Sequence, residues 1–337
     1  MKLDLSERKA RTALDGVLVI NKPIGWTSHD VVAKVRTLLR VRKAGHTGTL
    51  DPSATGVLVL CLGKATRIAE FLINSDKAYR AVLRLGVATD TQDATGTVVR
   101  RHAGSCPDEA TIRAVMGHYV GSHQQVPPMY SAVKVKGVPL YKSARAGQTI
   151  TRAAREFTVR SLTVLSVAPT WHPETGEGGT VTPPTVDVLF DVVCSKGTYV
   201  RTLCADIGEA LGVGGHLARL ERRKVGRFGI EEAVSLGELA ELAEQEDVGA
   251  RLHSLTSALA DLPAVTVDPI AADGVLHGVA APVARVSAVA GTWAVGASVR
   301  IQAQDGRLLA IGKAPCGTED LGRPSPEAAF KVEKVLA

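Results

Sequence analysis

The sequence predicts an α+β protein with a small, mostly β C-terminal domain. Segments that alternate like half-buried strands are mixed with amphipathic helical segments, and there is no regular βαβ repeat and no G-x-G-x-x-G motif. Beyond about residue 264 the segments become short and β-like, and Gly, Ala and Val dominate them. A chain of 337 residues, 45% of them hydrophobic, suits one large and one small domain. We place these domains at residues 1–250 and 264–337.

Apolar residues at helical spacing identify the helices, and period-two alternation identifies the strands. Ser28, a residue type that caps helices well, begins the first helix, and Tyr79 lies on the apolar face of its strand. The segment 170–184 is rich in Gly, Pro and Thr, which predicts a surface insertion. Predicted helices span 28–39, 65–73, 108–119, 139–146 and 235–245, and Arg201 opens another; predicted strands span 15–20, 57–62, 77–87, 131–136, 157–167, 185–194, 264–267, 293–301 and 307–311.

Charge and cysteine usage narrow the class of protein. The net charge is +6, and the first 246 residues hold the whole basic surplus, which favours a polyanionic partner. The five cysteines form no C-x-x-C pair, so neither a disulfide framework nor a zinc site is indicated, and a reducing cytoplasmic location is expected. No apolar run reaches membrane-spanning length, and the charged N-terminus does not resemble a signal peptide.

The segment GHTGTLDPSATG, residues 45–56, is the strongest candidate for chemistry. It places Asp51 and His46 in a run of Gly, Thr and Pro that cannot hold a regular helix or strand. Arg201 is predicted in the first turn of a helix, where a cation is unfavourable, so it needs a carboxylate partner such as Asp51. Polar segments at 76–80 and 216–223 are predicted at similar junctions. Each signal alone also fits a plain turn, a core tyrosine or a surface ion pair.

Five ordered blocks together resemble the TruB-type tRNA pseudouridine synthases over roughly residues 15–230. The blocks are VLVINKPIGWTSHDVV, GHTGTLDPSATGVLVLCLGKATR, DKAYRAVLRLGVATDTQDATG, VPPMYSAVKVKGVPLYKSARAG and CSKGTYVRTLCADIGEALGVGGHLARLERRKVG. The resemblance implies the pseudouridine synthase fold, a mixed and largely antiparallel sheet flanked by helices. It also implies isomerisation of uridine 55 in the T-arm loop of tRNA by base flipping and an aspartate nucleophile. No cofactor and no metal are expected.

The resemblance also implies roles for individual residues. Asp51 matches the nucleophile, Tyr79 the tyrosine that stacks on the target base, and Arg201 the arginine that pairs with the aspartate. His46 matches the histidine that contacts RNA where the base leaves the stack. The remaining positions matched to substrate binding are Asp90, Tyr199 and Leu220. In many family members the C-terminal domain is an RNA-binding PUA domain, and a PUA-like module is expected here.

The chemistry can be argued from the residues as well. Exchanging a C–N for a C–C glycosidic bond requires a nucleophile at C1′ of the ribose or at C6 of the base, and an ionised aspartate can serve as either. Loss of the C5 proton requires a base, for which the Tyr79 hydroxyl and a water molecule both remain open. RNA affinity is expected mainly from phosphate contacts. The phosphate candidates are Lys43, Lys64, Arg67, Lys134, Arg222 and Arg223.

The expected partner is tRNA, with no membrane and no DNA partner, and the protein is expected to be a monomer. Two alternatives stay open at this stage. One is an RNA-folding chaperone or binding module whose catalytic residues are vestigial. The other is a synthase that acts on ribosomal RNA or through a guide RNA, which the length of the chain and its lack of a basic tail disfavour.

Overall fold

The computed structural model describes residues 14–131, 133–135, 137–148, 150–170, 185–321 and 328–336. Its helices are α1 Ser28–Leu39, α2 Ala69–Ile73, α3 Glu109–Gly117, α4 Leu140–Arg145, α5 Val200–Ala210, α6 Leu236–Glu244, α7 Leu255–Ala258 and α8 Pro269–Leu276. The first thirteen strands are β1 Gly16–Lys22, β2 Ala44–His46, β3 Thr55–Leu62, β4 Lys77–Leu85, β5 Val87–Thr89, β6 Val98–Arg101, β7 Gly121–Gln125, β8 Lys134–Val135, β9 Val138–Pro139, β10 Arg155–Thr170, β11 Thr185–Cys194, β12 Gly215–Val225 and β13 Phe228–Gly229. The C-terminal strands are β14 Ala264–Val267, β15 Ala281–Pro282, β16 Val286–Ala290, β17 Ser298–Ala303, β18 Leu308–Lys313 and β19 Ala329–Val335.

The central sheet is mixed and largely antiparallel, as predicted. Its strand order is β1-β3-β12-β4-β11-β10-β7, with β2 paired to β3 and β13 paired to β12. The pairing of β3 with β12 is parallel, and the other pairings in this sheet are antiparallel. Strand β12 therefore lies in the middle of the sheet, between β3 and β4. The segment 216–223, predicted at a turn junction, is instead strand interior.

Apolar residues on both faces of the sheet form its cores. One cluster packs α5 against β4 and β11, with Leu203, Leu83 and Phe190 fully buried. Another packs α1 and α6 against β1 and β3. None of the helices in the described parts of the chain is both long and apolar enough to cross a bilayer.

The C-terminal strands form a second sheet of order β15-β19-β18-β17-β14-β16, which confirms a small, mostly β domain. It has its own core, in which Val265, Ile301 and Phe330 are fully buried. Ile311 packs instead into a cluster shared with β1 and β3 of the central sheet. Lys334 also forms an ion pair with Glu70. The second sheet is thus joined to the first by apolar and charged contacts.

Most predicted elements are present, with local differences. Helix α1 has the predicted bounds, but Thr27 rather than Ser28 is its cap: Thr27 Oγ1 accepts from Asp30 N at 3.1 Å, and the Asp30 carboxylate accepts from Thr27 N at 2.9 Å. The predicted helix 65–73 is a 3₁₀ segment, Gly63–Ile68, followed by the short α2. In the predicted insertion 170–184, residues 171–184 lie outside the described residues.

Candidate active site

Asp51 lies in the turn between β2 and β3, residues 47–54, which we name the Asp51 turn. Its Oδ2 is 2.9 Å from Nε of Arg201, at the start of α5, so the ion pair predicted from the sequence is present. The Arg201 side chain is 6% exposed and that of Asp51 is 35% exposed. Arg201 also donates to Tyr130 O at 2.9 Å and to Thr91 O at 3.4 Å. The guanidinium is therefore fixed by main-chain contacts as well as by the carboxylate.

Burial raises the pKa of Asp51 above its ordinary value. Arg201 is the strongest opposing influence, and the neighbouring charge of Asp93 adds to the rise. Lys22 and Arg222 lower the pKa to a smaller extent. The site thus holds one carboxylate that burial makes costly to ionise and several cations that compensate for part of that cost.

Asp93 is a second buried carboxylate beside Arg201, which the sequence analysis missed. Its Oδ1 accepts from Thr95 N at 2.9 Å, Thr95 Oγ1 at 2.6 Å and Thr91 Oγ1 at 2.8 Å. Its Oδ2 lies 3.7 Å from Arg201 Nη1, and its side chain is 8% exposed. Asp90, the residue proposed from the sequence, is exposed, and its Oδ1 accepts from Thr97 N at 2.8 Å. Of these two carboxylates, Asp93 is the one placed beside Arg201.

The Asp51 turn is fixed at its C-terminal end by the loop after β1. The Lys22 ammonium, fully buried, donates to Trp26 O at 2.8 Å and to Pro52 O at 3.4 Å. Burial lowers the pKa of Lys22 to about 8, and the carboxylate of Asp51 opposes this change. Ser28 Oγ donates to Leu50 O and accepts from Leu50 N, at 3.1 and 2.9 Å. Residues on both sides of Asp51 are therefore tied to the N-terminal part of the chain.

Tyr79, Arg222 and Gly56 lie side by side in three neighbouring strands. In the sheet register, Tyr79 of β4 is opposite Arg222 of β12, and Arg222 is opposite Gly56 of β3. Burial raises the pKa of the Tyr79 hydroxyl, and the nearby Arg222 guanidinium opposes that rise. Leu220, two residues before Arg222, is 8% exposed and belongs to the core cluster against which Tyr79 packs. The aromatic and aliphatic residues expected to hold the base are thus neighbours.

The structure contradicts the prediction that Arg222 contacts phosphate. The side chain is 2% exposed, and its donors point to main-chain oxygens. Nε donates to Val57 O at 2.7 Å, Nη2 to Gly48 O at 3.0 Å and Nη1 to Thr49 O at 3.3 Å. A guanidinium enclosed in this way is not available to a phosphate group.

Tyr199 and His46 shortly precede Arg201 and Asp51, respectively, in the chain. Tyr199 is the residue before α5, and Gln125 clamps its main chain: Tyr199 N donates to Gln125 Oε1 at 2.9 Å, and Gln125 Nε2 donates to Tyr199 O at 3.1 Å. Burial raises the pKa of the Tyr199 hydroxyl. His46 ends β2, and its ring meets that of His29 edge-on at 5.3 Å between centroids. Burial lowers the pKa of His46 to about 4, so its ring is neutral at neutral pH.

The other phosphate candidates differ in availability. Lys43, Lys64 and Arg67 are exposed. Arg223 is engaged by carboxylates, at 3.2 Å from Glu221 and 3.5 Å from Glu231. The side chain of Lys134 lies outside what the structure describes. Within the described ranges, no three His, Cys, Asp or Glu side chains are grouped so that they could hold a metal ion.

Comparisons with known proteins agree with this geometry. Residues 36–200 match the TruB family pseudouridylate synthase N-terminal domain, and residues 201–262 match the tRNA pseudouridylate synthase B C-terminal domain. The tRNA pseudouridine synthase B of Burkholderia pseudomallei is 46% identical over 308 residues, which cover 91% of this chain and 96% of that protein. The enzyme of the same name from Syntrophotalea carbinolica is 46% identical over 256 residues, 76% of this chain and 78% of that protein.

Solved structures agree at the level of the fold. A chain in a Cbf5–Nop10–Gar1 complex superposes with a TM-score of 0.74 and 31% identity, covering 96% of this chain and 85% of that chain. A chain in an archaeal box H/ACA sRNP Nop10–Cbf5 complex superposes with a TM-score of 0.72 and 28% identity, covering 96% and 86%. The fold is that of a pseudouridine synthase, and the relatives named above make the chain an isomerase of this class. The chain belongs to the TruB family of pseudouridylate synthases.

Proposed function

We propose that this synthase acts on tRNA, at uridine 55 in the T-arm loop, with the Asp51 carboxylate as its nucleophile. The observation that carries the proposal is the 2.9 Å pair of Asp51 and Arg201 on a turn held at both ends. The substrate class is supported by relatives about 45% identical over most of the chain that are named tRNA pseudouridine synthase B. These matches favour a tRNA synthase over a guide-dependent enzyme, since the chains from the two RNA–protein complexes are 31% and 28% identical.

In the proposed reaction, Arg201 favours the ionised form of Asp51 and aims its free oxygen lone pair at the extruded nucleoside. Attack at C1′ breaks the N1–C1′ bond, whereas attack at C6 prepares that bond for cleavage. The uracil then turns, C5 bonds to C1′, and the C5 proton leaves to a base while the Asp51 bond breaks. Reactants and product have the same atoms, so no oxidant or reductant is required. The target base is hidden in the folded RNA loop and must flip out to react.

Tyr79 is proposed to hold the detached base by stacking. An aromatic face retains a ring that must rotate without gripping one of its edges, and base–aromatic stacking is worth about 1–3 kcal/mol. Burial raises the pKa of the Tyr79 hydroxyl, which keeps it protonated near neutral pH. This favours stacking over proton abstraction by a phenolate and makes water the stronger candidate for the base at C5.

The RNA surface is proposed to surround the Asp51 turn. His46 is neutral near pH 7, because burial lowers its pKa to about 4, and a neutral ring can contact an unstacked nucleotide. Tyr199 and Leu220 are proposed to line the uridine pocket, and Asp93 takes the place proposed for Asp90. Phosphate contacts are assigned to Lys43, Lys64, Arg67, Lys134 and Arg223, as a mainly electrostatic contribution to affinity.

The domain limits also remain a proposal, with a catalytic domain at 1–250 and a PUA-like C-terminal domain at 264–337. The start of β14 at Ala264 and the separate second sheet support the boundary. A monomeric state and a cytoplasmic location are also proposed, and relatives that are tRNA enzymes support the location.

A tRNA transcript with tritium at C5 of its uridines tests the function. Because C5 loses its hydrogen when it bonds to C1′, each turnover releases one tritium. We expect release of one label per tRNA, mapped to position 55, and none from a transcript in which uridine 55 is replaced by cytidine. Tight tRNA binding without release would favour the vestigial RNA chaperone instead. Release from a ribosomal RNA fragment, but not from tRNA, would contradict the substrate.

A further inference from the structure

The contacts of the buried Arg222 guanidinium suit a residue that fixes the positions of its neighbours. We propose that Arg222 is a positioning residue, which holds the Asp51 turn and Tyr79 in the relative placement that turnover requires. The inference rests on the proposed function, because it assumes that Asp51 is the nucleophile. Nothing in this role requires Arg222 to touch RNA.

The first observation is where its hydrogen bonds lead. Arg222 lies on β12, but its guanidinium donates to carbonyls of Gly48 and Thr49, just before Asp51, and of Val57, just after the turn. One rigid, planar group therefore joins both flanks of the turn to the central strand of the sheet. A guanidinium presents its donors in a fixed fork, so these three acceptors are also fixed relative to each other.

The second observation is the close packing of β3 against β12. A Cβ at Gly56 would lie 2.3 Å from Arg222 O and 2.8 Å from Arg222 N, so no larger residue fits there. Gly56 also has a φ of +101°, a conformation that glycine adopts readily. The close approach places the start of β3, which directly follows the Asp51 turn, beside the Arg222 main chain. Tyr79 is opposite Arg222 on its other side, so Arg222 lies between β4, which carries Tyr79, and β3, which follows the Asp51 turn.

The third observation is the cost of burying this cation. Burial lowers the pKa of Arg222, which shows that its surroundings disfavour the charge. Buried ion pairs can often be replaced by apolar residues with no loss of stability, so the burial of a charge is weak evidence that Arg222 serves stability alone. The charge does act on the site, because it opposes the rise in pKa of both Tyr79 and Asp51.

Lys22 provides a parallel at the opposite end of the same turn. Its buried ammonium also donates to main-chain carbonyls, including Pro52 O immediately after Asp51. The turn is thus fixed by Lys22 at Pro52 and by Arg222 at Gly48 and Thr49. Asp51 lies between the two attachments, where small displacements of either flank would move its carboxylate.

The test compares Arg222→Met and Arg222→Lys by single-turnover and steady-state tritium release from tRNA. A misplacement of about 1 Å can cost 100-fold in rate, so we expect kcat of Arg222→Met to fall about 100-fold. The KM for tRNA should change little. Arg222→Lys should recover part of kcat, since an ammonium can reach one or two of the three carbonyls. Arg84→Met is the matched control, because Arg84 pairs with Asp187 on the same sheet, away from the Asp51 turn.

The pH dependence separates positioning from loss of fold. The charged groups that act on Asp51 are Arg201, Asp93, Lys22 and Arg222. Removing the Arg222 charge raises the pKa of Asp51 further, so the acidic limb of kcat/KM should move to higher pH in Arg222→Met. It should stay in place in Arg222→Lys and in Arg84→Met. If Arg222→Met does not fold, the test rests on Arg222→Lys. A reduced kcat together with an unmoved acidic limb of kcat/KM in that variant supports the proposal.

Three results would overturn the inference. One is a wild-type kcat in Arg222→Met or, where that variant does not fold, in Arg222→Lys. Another is a raised KM with unchanged kcat, which would indicate an RNA contact. The third is an acidic limb that does not move in folded Arg222→Met. Failure of the proposed function can be distinguished from these three results, because the wild-type protein would then release no tritium from tRNA. The inference about Arg222 would fail in that case as well.

Discussion

Two Arg–Asp pairs, one beside the central sheet and one on it, differ in burial, and the pKa values of their carboxylates differ accordingly. Arg201–Asp51 has one close contact at 2.9 Å, with a buried arginine, 6% exposed, and a half-buried aspartate, 35% exposed. Arg80–Asp191 joins β4 to β11 through two hydrogen bonds of 2.8 Å, with side chains 43% and 40% exposed. Tyr79 and Arg80 are consecutive, so β4 contributes to the site on one face and to the exposed pair on the other.

The pKa of the two aspartates moves in opposite directions. Hydrogen bonds from Arg80 lower the pKa of Asp191, whereas burial raises that of Asp51 although Arg201 opposes it. The pair with two hydrogen bonds is therefore the one whose carboxylate stays ionised to lower pH. A nearby arginine therefore does not by itself set the pKa of a carboxylate, because the hydration lost on burial can outweigh the favourable charge interaction.

The largest effect is expected from Asp51→Asn. This change removes the nucleophile but keeps the size of the side chain, so turnover should fall by a factor on the order of 10⁴ or more. Tritium release from tRNA measures it, with filter binding of tRNA and far-UV circular dichroism as controls for affinity and fold. Activity equal to wild type would refute the assignment of Asp51.

Arg201→Ala should produce the next largest effect. Breaking a buried pair by removing one partner costs about 3–5 kcal/mol, which corresponds to a kcat lower by about 150- to 5,000-fold if the loss falls on the transition state. Arg80→Ala is the matched control on the opposite face and should leave kcat unchanged. A change in tRNA affinity alone in Arg201→Ala would contradict the pairing as the basis of catalysis.

Asp93→Asn should have a smaller effect with a characteristic pH dependence. The negative charge of Asp93 raises the pKa of Asp51, so its removal should move the acidic limb of kcat/KM to lower pH. Loss of one anchor for Arg201 should reduce kcat by about 10-fold, the equivalent of ~1.4 kcal/mol. The same substitution at Asp90 is the control and should change neither quantity. Equal changes in the acidic limb and in kcat for Asp93→Asn and Asp90→Asn would argue that Asp93 has no special role.

Asp191→Asn should have the smallest effect. An exposed pair contributes about 0.2–1 kcal/mol, so urea unfolding at neutral pH should show a decrease in stability of that size and an unchanged kcat. Because the folded-state pKa of Asp191 is lowered, its contribution is present above the ordinary pKa and disappears as the pH falls through the folded-state pKa. A stability difference that grows toward acidic pH would contradict this account.

Local pattern predicted much of the fold and the central pair of the site. The spacing of apolar residues located α1 with its observed bounds, and the strand predicted at 185–194 is β11. An arginine in the first turn of a helix correctly indicated a carboxylate partner, because the cost of a cation there depends only on the local backbone.

What the sequence could not predict depends on tertiary placement. Arg222 lies in a basic run that suggests a phosphate contact, and only the parallel pairing of β3 with β12 encloses it. Asp90 and Asp93 occur in one polar loop, and the sequence does not distinguish them. Gln92 takes a positive φ of 65°, and Asp93 then forms a bridge to Leu217 of β12, which places its carboxyl group beside Arg201.

The most direct measurement is the pH dependence of kcat/KM for the wild-type protein on tRNA, since kcat/KM reports the ionisation of groups in the free protein. If Asp51 must be ionised and burial raises its pKa, the acidic limb will lie above the ordinary range of an aspartate, and Asp93→Asn will bring it down. A limb at or below that ordinary range, unchanged by Asp93→Asn, would contradict a buried, arginine-paired nucleophile.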